Sequence, residues 1–313
     1  FIGTDSGKLT TTGIGNTFVG DGSGRQNTTG ASNVAVGQSA LLANTTAANN
    51  TAVGYNSLIA NTTGTENVAV GSLALDANTT ANGNSALGHG SLGANTTGAA
   101  NVAVGTASLQ ANTTASNNTG VGYLALGANT TGASCVAVGT NALKAYTTSY
   151  NNTAIGKSAD ENGTGGNGNI SIGYNAQKSA VNSAGQCTLG NADIINLRCN
   201  DTSISALSDS RDKTNVIDSP YGLDFINTVR PVQFLWDTRD GNAKDGSTRI
   251  GFLAQELLAA TDGNNAVLDL VLDDNPDKLE AKYGNLLPVA IQAIKELSTQ
   301  LDAALARITT LEG

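Results

Sequence analysis

The stretch Asn101-Val102-Ala103-Val104-Gly105 decides the fold, because close copies of it return every 17 residues through the first 190 positions. Two of the copies are Asn33-Val34-Ala35-Val36 before Gly37 and Asn50-Thr51-Ala52-Val53 before Gly54. Twelve glycines share one register: Gly3, Gly20, Gly37, Gly54, Gly71, Gly88, Gly105, Gly122, Gly139, Gly156, Gly173 and Gly190. So regular a series excludes coincidence and indicates a repeat array.

The unit also carries a Leu four residues after many of the glycines and an Asn-Thr-Thr turn in fixed phase. A period of 17 residues is too short for a pair of helices, and β-branched triplets between Gly and Asn predict one or two short strands per coil. We therefore expect a parallel β-solenoid or β-roll in which Gly provides a turn that a β-carbon would obstruct. Asn-Thr-Thr also matches the N-glycosylation pattern, but turn chemistry already explains its recurrence.

Composition excludes several classes of protein. The 313 residues include 38 Gly and only 13% charged residues, so few bulky side chains are available for one thick core. The net charge of −9 removes the electrostatic basis for nucleic-acid binding. No apolar run approaches the roughly 18–20 residues of a membrane span, so we expect no membrane insertion.

We also expect no metal and no cofactor. Cys135, Cys187 and Cys199 form neither a C-x-x-C unit nor an even set, and they are expected to be buried or inert thiols. Because the sequence contains no Met, even at position 1, we expect it to be part of a longer product with an N-terminal attachment region.

The pattern changes after Gly190, which predicts a repeat rod over residues 1–190, a connector over 191–207 and a second domain over 208–313. That domain mixes an expected strand at residues 232–236 with a helix-like stretch at 251–258, so it is predicted to be a small α+β module. Apolar residues then keep a/d spacing and predict a coiled coil at about 285–313: Leu287, Ala290, Ile294, Leu297, Leu301, Ala304, Ile308 and Leu311.

Three motifs of the second domain carry a resemblance. Ser208-Asp209-Ser210-Arg211-Asp212-Lys213, then Gly251-Phe252-Leu253-Ala254-Gln255-Glu256, and the terminal heptads together resemble the intramolecular chaperone of endosialidases and phage tail spikes, the peptidase S74 family. The Asn-Val-Ala-Val-Gly repeats resemble the heads of trimeric autotransporter adhesins, and similar repeats occur in phage fibres. These resemblances imply a homotrimer whose C-terminal chaperone helps a β-structured fibre to assemble.

The S74 resemblance also implies that the chain cuts itself between Leu207 and Ser208, with Ser208 as nucleophile and Lys213 as general base. A Ser hydroxyl needs such a base, and the only His, His89, lies in the repeats. Lys can act as the base where burial or a neighbouring cation such as Arg211 favours its neutral form. Two roles stay open for Asp209 and Arg211: orienting this dyad, or forming an ordinary surface ion pair.

The leading hypothesis is a phage tail fibre segment that is assembled in the host cytoplasm, carried on the virion and extracellular on release. Its expected partners are two further copies, upstream tail proteins and a glycan or protein receptor on the host surface. Tyr55, Tyr123 and Tyr174 are receptor-binding candidates, because they share the variable column after the repeat Gly. The alternatives are a bacterial trimeric surface adhesin and a glycan-degrading tail spike that uses paired carboxylates.

Overall fold

The computed structural model describes residues 1–191, 193–194, 197–198, 208–235 and 248–312. Two compact units divide the chain: a rod unit, Phe1–Asn191, and a C-terminal unit, Ala192–Gly313. Leu207, Cys199 and Trp236, together with most of the connector, lie outside the described residues.

The rod unit is the predicted parallel β-solenoid. Within residues 1–191, eleven strands of three residues each pair in sequence order as one parallel sheet, and each residue faces the one 17 positions on, as Val102 faces Ser85 and Thr119. The strands are β1 (Thr17–Val19), β2 (Val34–Val36), β3 (Thr51–Val53), β4 (Val68–Val70), β5 (Ser85–Leu87), β6 (Val102–Val104), β7 (Thr119–Val121), β8 (Val136–Val138), β9 (Thr153–Ile155), β10 (Ile170–Ile172) and β11 (Cys187–Leu189).

Close coil spacing explains the choice of residues in each coil. Gly71 has φ +142°, and a β-carbon on it would lie 2.5 Å from the carbonyl oxygen of Gly88 in the next coil. The middle residue of β6, Ala103, is fully buried, so only a small side chain fits there. The Leu after the turn adopts a left-handed φ, +52° at Leu75, and is also fully buried. Burying a Leu contributes about 1.5–3 kcal/mol, which offsets a backbone cost of about 1–2 kcal/mol.

Two columns of buried Asn run along the rod beside the Leu column. In the turn column, Asn44 Nδ2 donates to the Ala47 carbonyl at 3.1 Å and to Asn27 Oδ1 of the preceding coil at 2.7 Å. In the strand column, Asn50 Oδ1 accepts from the backbone N–H of Asn67 at 2.9 Å, one coil on. Because these amides are buried and hydrogen-bonded, the Asn-Thr-Thr asparagines are not accessible acceptors for glycosylation in the folded rod.

One position of the strand column holds Cys135 instead of Asn. Its thiol is fully buried and its Sγ lies 3.4 Å from the Ser149 carbonyl, where Asn Nδ2 donates in neighbouring coils. Burial raises the pKa of the Cys135 thiol, so it stays neutral. A thiol donates a weaker hydrogen bond than an amide, and it lacks the carbonyl oxygen that the next coil uses.

Replacing Cys135 with Asn is expected to stabilise the rod by about 1 kcal/mol, the typical net value of one restored hydrogen bond. The readout is the urea midpoint of the strand circular-dichroism signal. Cys187→Asn is the matched control, because Cys187 is exposed and that change is expected to shift stability by less than about 0.5 kcal/mol. A midpoint that falls in Cys135→Asn would contradict the ladder argument.

A buried polar cluster interrupts both the turn column and the Leu column near the end of the rod. Tyr146 stands where the turn column would place Asn, and Asp160 stands where the Leu column would place Leu. The Tyr146 hydroxyl donates to Asp160 Oδ2, and Lys178 Nζ donates to Tyr146 Oη at 2.7 Å. Burial raises the pKa of Tyr146 and of Asp160 and lowers the pKa of Lys178. The positive charge of Lys178 acts against burial by lowering the pKa of Asp160, so Lys178 favours the buried carboxylate.

We expect Lys178→Met to cost about 3 kcal/mol of rod stability at pH 8, because it leaves the Asp160 carboxylate buried without its cation. Burial already holds the folded-state pKa of Asp160 above its usual value. Stability that depends on a neutral Asp160 is present in full below the unfolded pKa of about 3.9, and it is lost as pH rises through the folded pKa. The stability that Lys178→Met loses, measured by urea unfolding, should therefore be smaller at pH 4 than at pH 8.

Lys144→Met is the matched control for this prediction. Lys144 pairs with Glu161 at 3.6 Å, and its side chain is 43% exposed. A surface pair contributes about 0–1 kcal/mol, so the control should lose little stability at either pH. Equal losses in the two variants would show that the cluster needs no internal cation.

The C-terminal unit is a small α+β arrangement that ends in a long helix. Its apolar core is formed by Leu257, Leu268, Leu270, Val271, Leu286 and Val289. Its elements are a 3-10 turn at Ser210–Asp212, α1 (Leu223–Ile226), β12 (Val232–Leu235), β13 (Thr248–Gly251), α2 (Ala254–Ala260), α3 (Asn265–Leu268), β14 (Val271–Leu272), β15 (Glu280–Ala281), a 3-10 turn at Tyr283–Asn285 and α4 (Leu286–Glu312). The strands pair antiparallel as β12 with β13 and β14 with β15.

The predicted coiled-coil segment forms a single helix, α4, of 27 residues. Its first half packs on the unit: Val289 and Ala293 are buried, and the Glu296 carboxylate accepts from the Leu223 N–H of α1 at 2.7 Å. Farther along, its apolar side chains are exposed, Leu301 at 60% and Leu311 at 83%. Among the described residues, no helix is both long and apolar enough to cross a membrane.

Candidate functional site

The first signature motif brings Ser208 and Lys213 together. Lys213 Nζ donates to Ser208 Oγ at 2.6 Å, although the two residues are five positions apart in sequence. Between them lies the 3-10 turn Ser210–Asp212, which reverses the chain so that both side chains reach the same side. The two predicted dyad residues are therefore in direct contact.

An ion pair lies within the same turn. Asp209 Oδ1 accepts from the backbone N–H of Arg211 at 2.9 Å and from Arg211 Nε at 3.0 Å, while Arg211 Nη2 lies 2.6 Å from Asp209 Oδ2. The hydrogen bonds from Arg211 lower the pKa of Asp209, and those to Asp209 raise the pKa of Arg211. Both groups are thus held in their charged forms next to the dyad.

The contact between Ser208 and Lys213 suits proton transfer. A neutral Lys Nζ at hydrogen-bond distance accepts the hydroxyl proton as Oγ attacks a carbonyl carbon. Residues 208–213 are exposed, however, so bulk water reaches both groups in the single chain. The carbonyl of Leu207, the group that the predicted reaction attacks, lies outside the described residues.

The second signature motif serves the structure of the unit. Gly251 ends β13 with room for no side chain, because a β-carbon there would lie 2.8 Å from the Tyr283 hydroxyl. The Phe252 ring packs edge-on against the Tyr283 ring, with centroids 5.4 Å apart. Glu256 on α2 accepts from Arg230 Nε at 3.0 Å, which ties α2 to the chain just before β12. The motif therefore fixes how these elements pack.

The receptor-binding candidates Tyr55, Tyr123 and Tyr174 are exposed at 52%, 53% and 58%. They share one outward column but occupy separate coils, since Tyr55 and Tyr123 are four 17-residue periods apart and Tyr123 and Tyr174 three. Lys157 Nζ lies 5.8 Å from the centroid of the Tyr174 ring. His89 is exposed in the same column. Receptor binding at these tyrosines stays a prediction.

Sequence reasoning missed the buried cluster of Tyr146, Asp160 and Lys178. Asp160 is 1% exposed and bonded to Tyr146, so it is not available as one of the paired carboxylates that the glycan-degrading alternative requires. The available signal was the repeat register itself, because Tyr146 and Asp160 occupy positions that elsewhere hold Asn and Leu. Among the described residues, no group of three His, Cys, Asp or Glu side chains could hold a metal ion.

Comparison with known proteins gives one match. Residues 208–268 match the family model Peptidase_S74, described as the chaperone of endosialidase. No curated protein and no solved structure matches the chain. The matched segment begins at Ser208 and includes Lys213 and Glu256, so it confirms the resemblance that the two motifs predicted. The C-terminal unit of this chain is therefore similar, over residues 208–268, to the endosialidase chaperone of the peptidase S74 family.

Proposed function

We propose that this chain is a segment of a trimeric phage tail fibre or spike, whose C-terminal unit aligns three chains and then cuts itself off between Leu207 and Ser208. The observation that carries the proposal is the 2.6 Å contact of Lys213 Nζ with Ser208 Oγ at the start of a chaperone-like segment that follows a β-solenoid. Assembly in the host cytoplasm, a place on the virion, upstream tail partners and contact with a host glycan or protein receptor belong to the same proposal.

The outward face of the strands supports association of identical rods. The third position of every strand from β1 to β11 is apolar: Val19, Val36, Val53, Val70, Leu87, Val104, Val121, Val138, Ile155, Ile172 and Leu189. Leu87 and Leu189 are 51% and 53% exposed. The first position of each strand is also uncharged. The first and third positions together therefore form a stripe that carries no charge along the rod. Such a stripe marks an interaction surface, and a copy of the same chain matches its length and period.

Helix α4 presents a second surface of the same kind. Six of its exposed apolar residues keep the spacing of a coiled-coil seam: Leu287, Ile294, Leu297, Leu301, Ile308 and Leu311. Parallel solenoid coils in separate chains stabilise nothing until they are in register, so nucleation is slow. A helix that joins three chains first removes much of that entropic cost.

Association can be tested on the strand stripe. Leu87→Lys places a charge on the proposed contact, and burying it should raise the concentration at which trimers dissociate by at least about tenfold. Thr80→Lys is the matched control, because Thr80 is exposed in the same coil but outside the strand. Light scattering and sedimentation velocity give the masses. Equal trimer stability in the two variants would refute this surface.

Self-cleavage next to the nucleophile has a definite chemistry. Ser208 Oγ adds to the carbonyl carbon of Leu207 while its proton passes to Lys213; the C–N bond then breaks and the freed amine takes a proton. The chain is now joined through an ester, and water hydrolyses that ester to a Leu207 carboxylate and the Ser208 hydroxyl. Loss of the aligning unit would leave the fibre kinetically locked, because refolding from separated chains has lost its template.

Intact-mass analysis of freshly expressed protein tests this reaction. Wild type should yield a product of 106 residues from Ser208 to Gly313 (313 − 208 + 1), whereas Ser208→Ala should stay full length and still form trimers. Lys213→Arg should also stay intact, because Arg keeps the charge but does not release its proton. A full-length wild type would instead make residues 208–313 a permanent trimeric tip.

A further inference from the structure

The turn that joins Ser208 to Lys213 is held by few interactions. Residues 208–213 are all exposed, so packing does not fix their geometry in the described chain. Two backbone bonds close the turn, from Asp212 N–H to the Asp209 carbonyl at 3.2 Å and from Lys213 N–H to the Ser210 carbonyl at 3.3 Å. An isolated turn with two such bonds forms only part of the time in water.

Asp209 supplies a side-chain hydrogen bond that stabilises the turn. It precedes the turn with an extended backbone, φ −66° and ψ 134°, and its side chain accepts from the Arg211 N–H, which is the arrangement of an N-cap. The same carboxylate also accepts hydrogen bonds from the Arg211 side chain, from Nε at 3.0 Å and from Nη2 at 2.6 Å. The cap is therefore the side-chain interaction that favours the bent chain.

The hydrogen bonds of Asp209 and Arg211 argue against a direct chemical role of either residue in cleavage. Among the described residues, the hydrogen bonds of the Asp209 carboxylate come from Arg211, and none comes from Ser208 or Lys213. The Arg211 guanidinium is in turn paired with Asp209, and no hydrogen bond joins it to Ser208 or Lys213 among the described residues. Neither group is placed to exchange a proton with the dyad.

We propose that Asp209 is a positioning residue: as the N-cap of the turn Ser210–Asp212, it holds Ser208 and Lys213 at hydrogen-bond distance, and Arg211 acts only by fixing the Asp209 carboxylate. This proposal rests on the self-cleavage proposed above. Cleavage rate should then follow the capping ability of residue 209 and not its charge.

The test is a time course of cleavage in full-length chains made by pulse-labelled cell-free synthesis and transferred to buffers from pH 6 to pH 9. Asp209→Ala removes the cap and should slow cleavage about fivefold, the factor that corresponds to a typical cap. Asp209→Asn keeps a capping oxygen without the charge and should stay within about twofold of wild type. Asp209→Glu keeps the charge but caps poorly, so it should be as slow as Asp209→Ala.

Arg211→Ala separates positioning from an electrostatic effect on the base. Positioning predicts a modest fall in rate, about twofold, with the pH midpoint of cleavage unchanged. If the Arg211 cation instead favoured neutral Lys213, the midpoint would move to higher pH, and that shift would overturn the role assigned to Arg211. Asp212→Asn is the matched control, since it removes an acidic charge from the same exposed turn and should leave the rate unchanged.

The outcomes also separate this proposal from the one on which it rests. A wild type that stays intact overturns both. A wild type that is cut, with Ser208→Ala intact but Asp209→Ala cut at the normal rate, overturns positioning alone. A fast Asp209→Glu with a slow Asp209→Asn likewise overturns the cap and assigns the effect to charge. Trimer mass, measured for each variant, keeps assembly defects apart from changes in rate.

Discussion

The rod depends on hydrogen bonds that buried asparagines make to the coil before and the coil after. A buried amide without hydrogen-bond partners costs about 1–3 kcal/mol. The Asn of each coil therefore stabilises the fold only where the neighbouring coil is already in place. The Asn129 Oδ1 atom illustrates the rule: it has no hydrogen-bond partner in the described part of the chain, and the next coil offers Tyr146 in place of Asn. The structure is therefore cooperative along the chain, and its first coils are the hardest to form.

That constraint links the rod to the unit that follows it in sequence. The rod presents an uncharged stripe of Val, Ile and Leu, and in the proposed trimer such stripes would gain from packing only after the chains have been brought into register. A long helix with exposed Leu and Ile, in a unit similar to the endosialidase chaperone, is suited to bring chains together first. Proposed cleavage at Ser208 would then remove a part that the finished fibre no longer needs.

The departures from the repeat are as informative as the repeat. Cys135 replaces one Asn and weakens the ladder locally, whereas Tyr146 and Asp160 replace an Asn and a Leu and join Lys178 in a buried polar cluster. Within that cluster, Asp160 Oδ1 has no hydrogen-bond partner among the described residues. A buried pair of this kind contributes less stability than apolar packing of the same volume, but removing one member is expensive. We therefore expect this cluster to make the end of the rod sensitive to single substitutions and to pH.

Sequence alone determined the solenoid, its period and its fixed glycines, because a fixed repeat depends on nearby residues. The pairing of Ser208 with Lys213 was implied by a family resemblance, and their contact came from the structure. Sequence reasoning did not foresee that Leu75 and its equivalents take a left-handed backbone, that Asp160 is buried, or that Asp209 caps the turn between the dyad residues. Those features arise from contacts between coils and from the exact path of the backbone. Residues 17 positions apart in sequence become neighbours only when the chain has coiled, so the tertiary structure decided which side chains share each buried site.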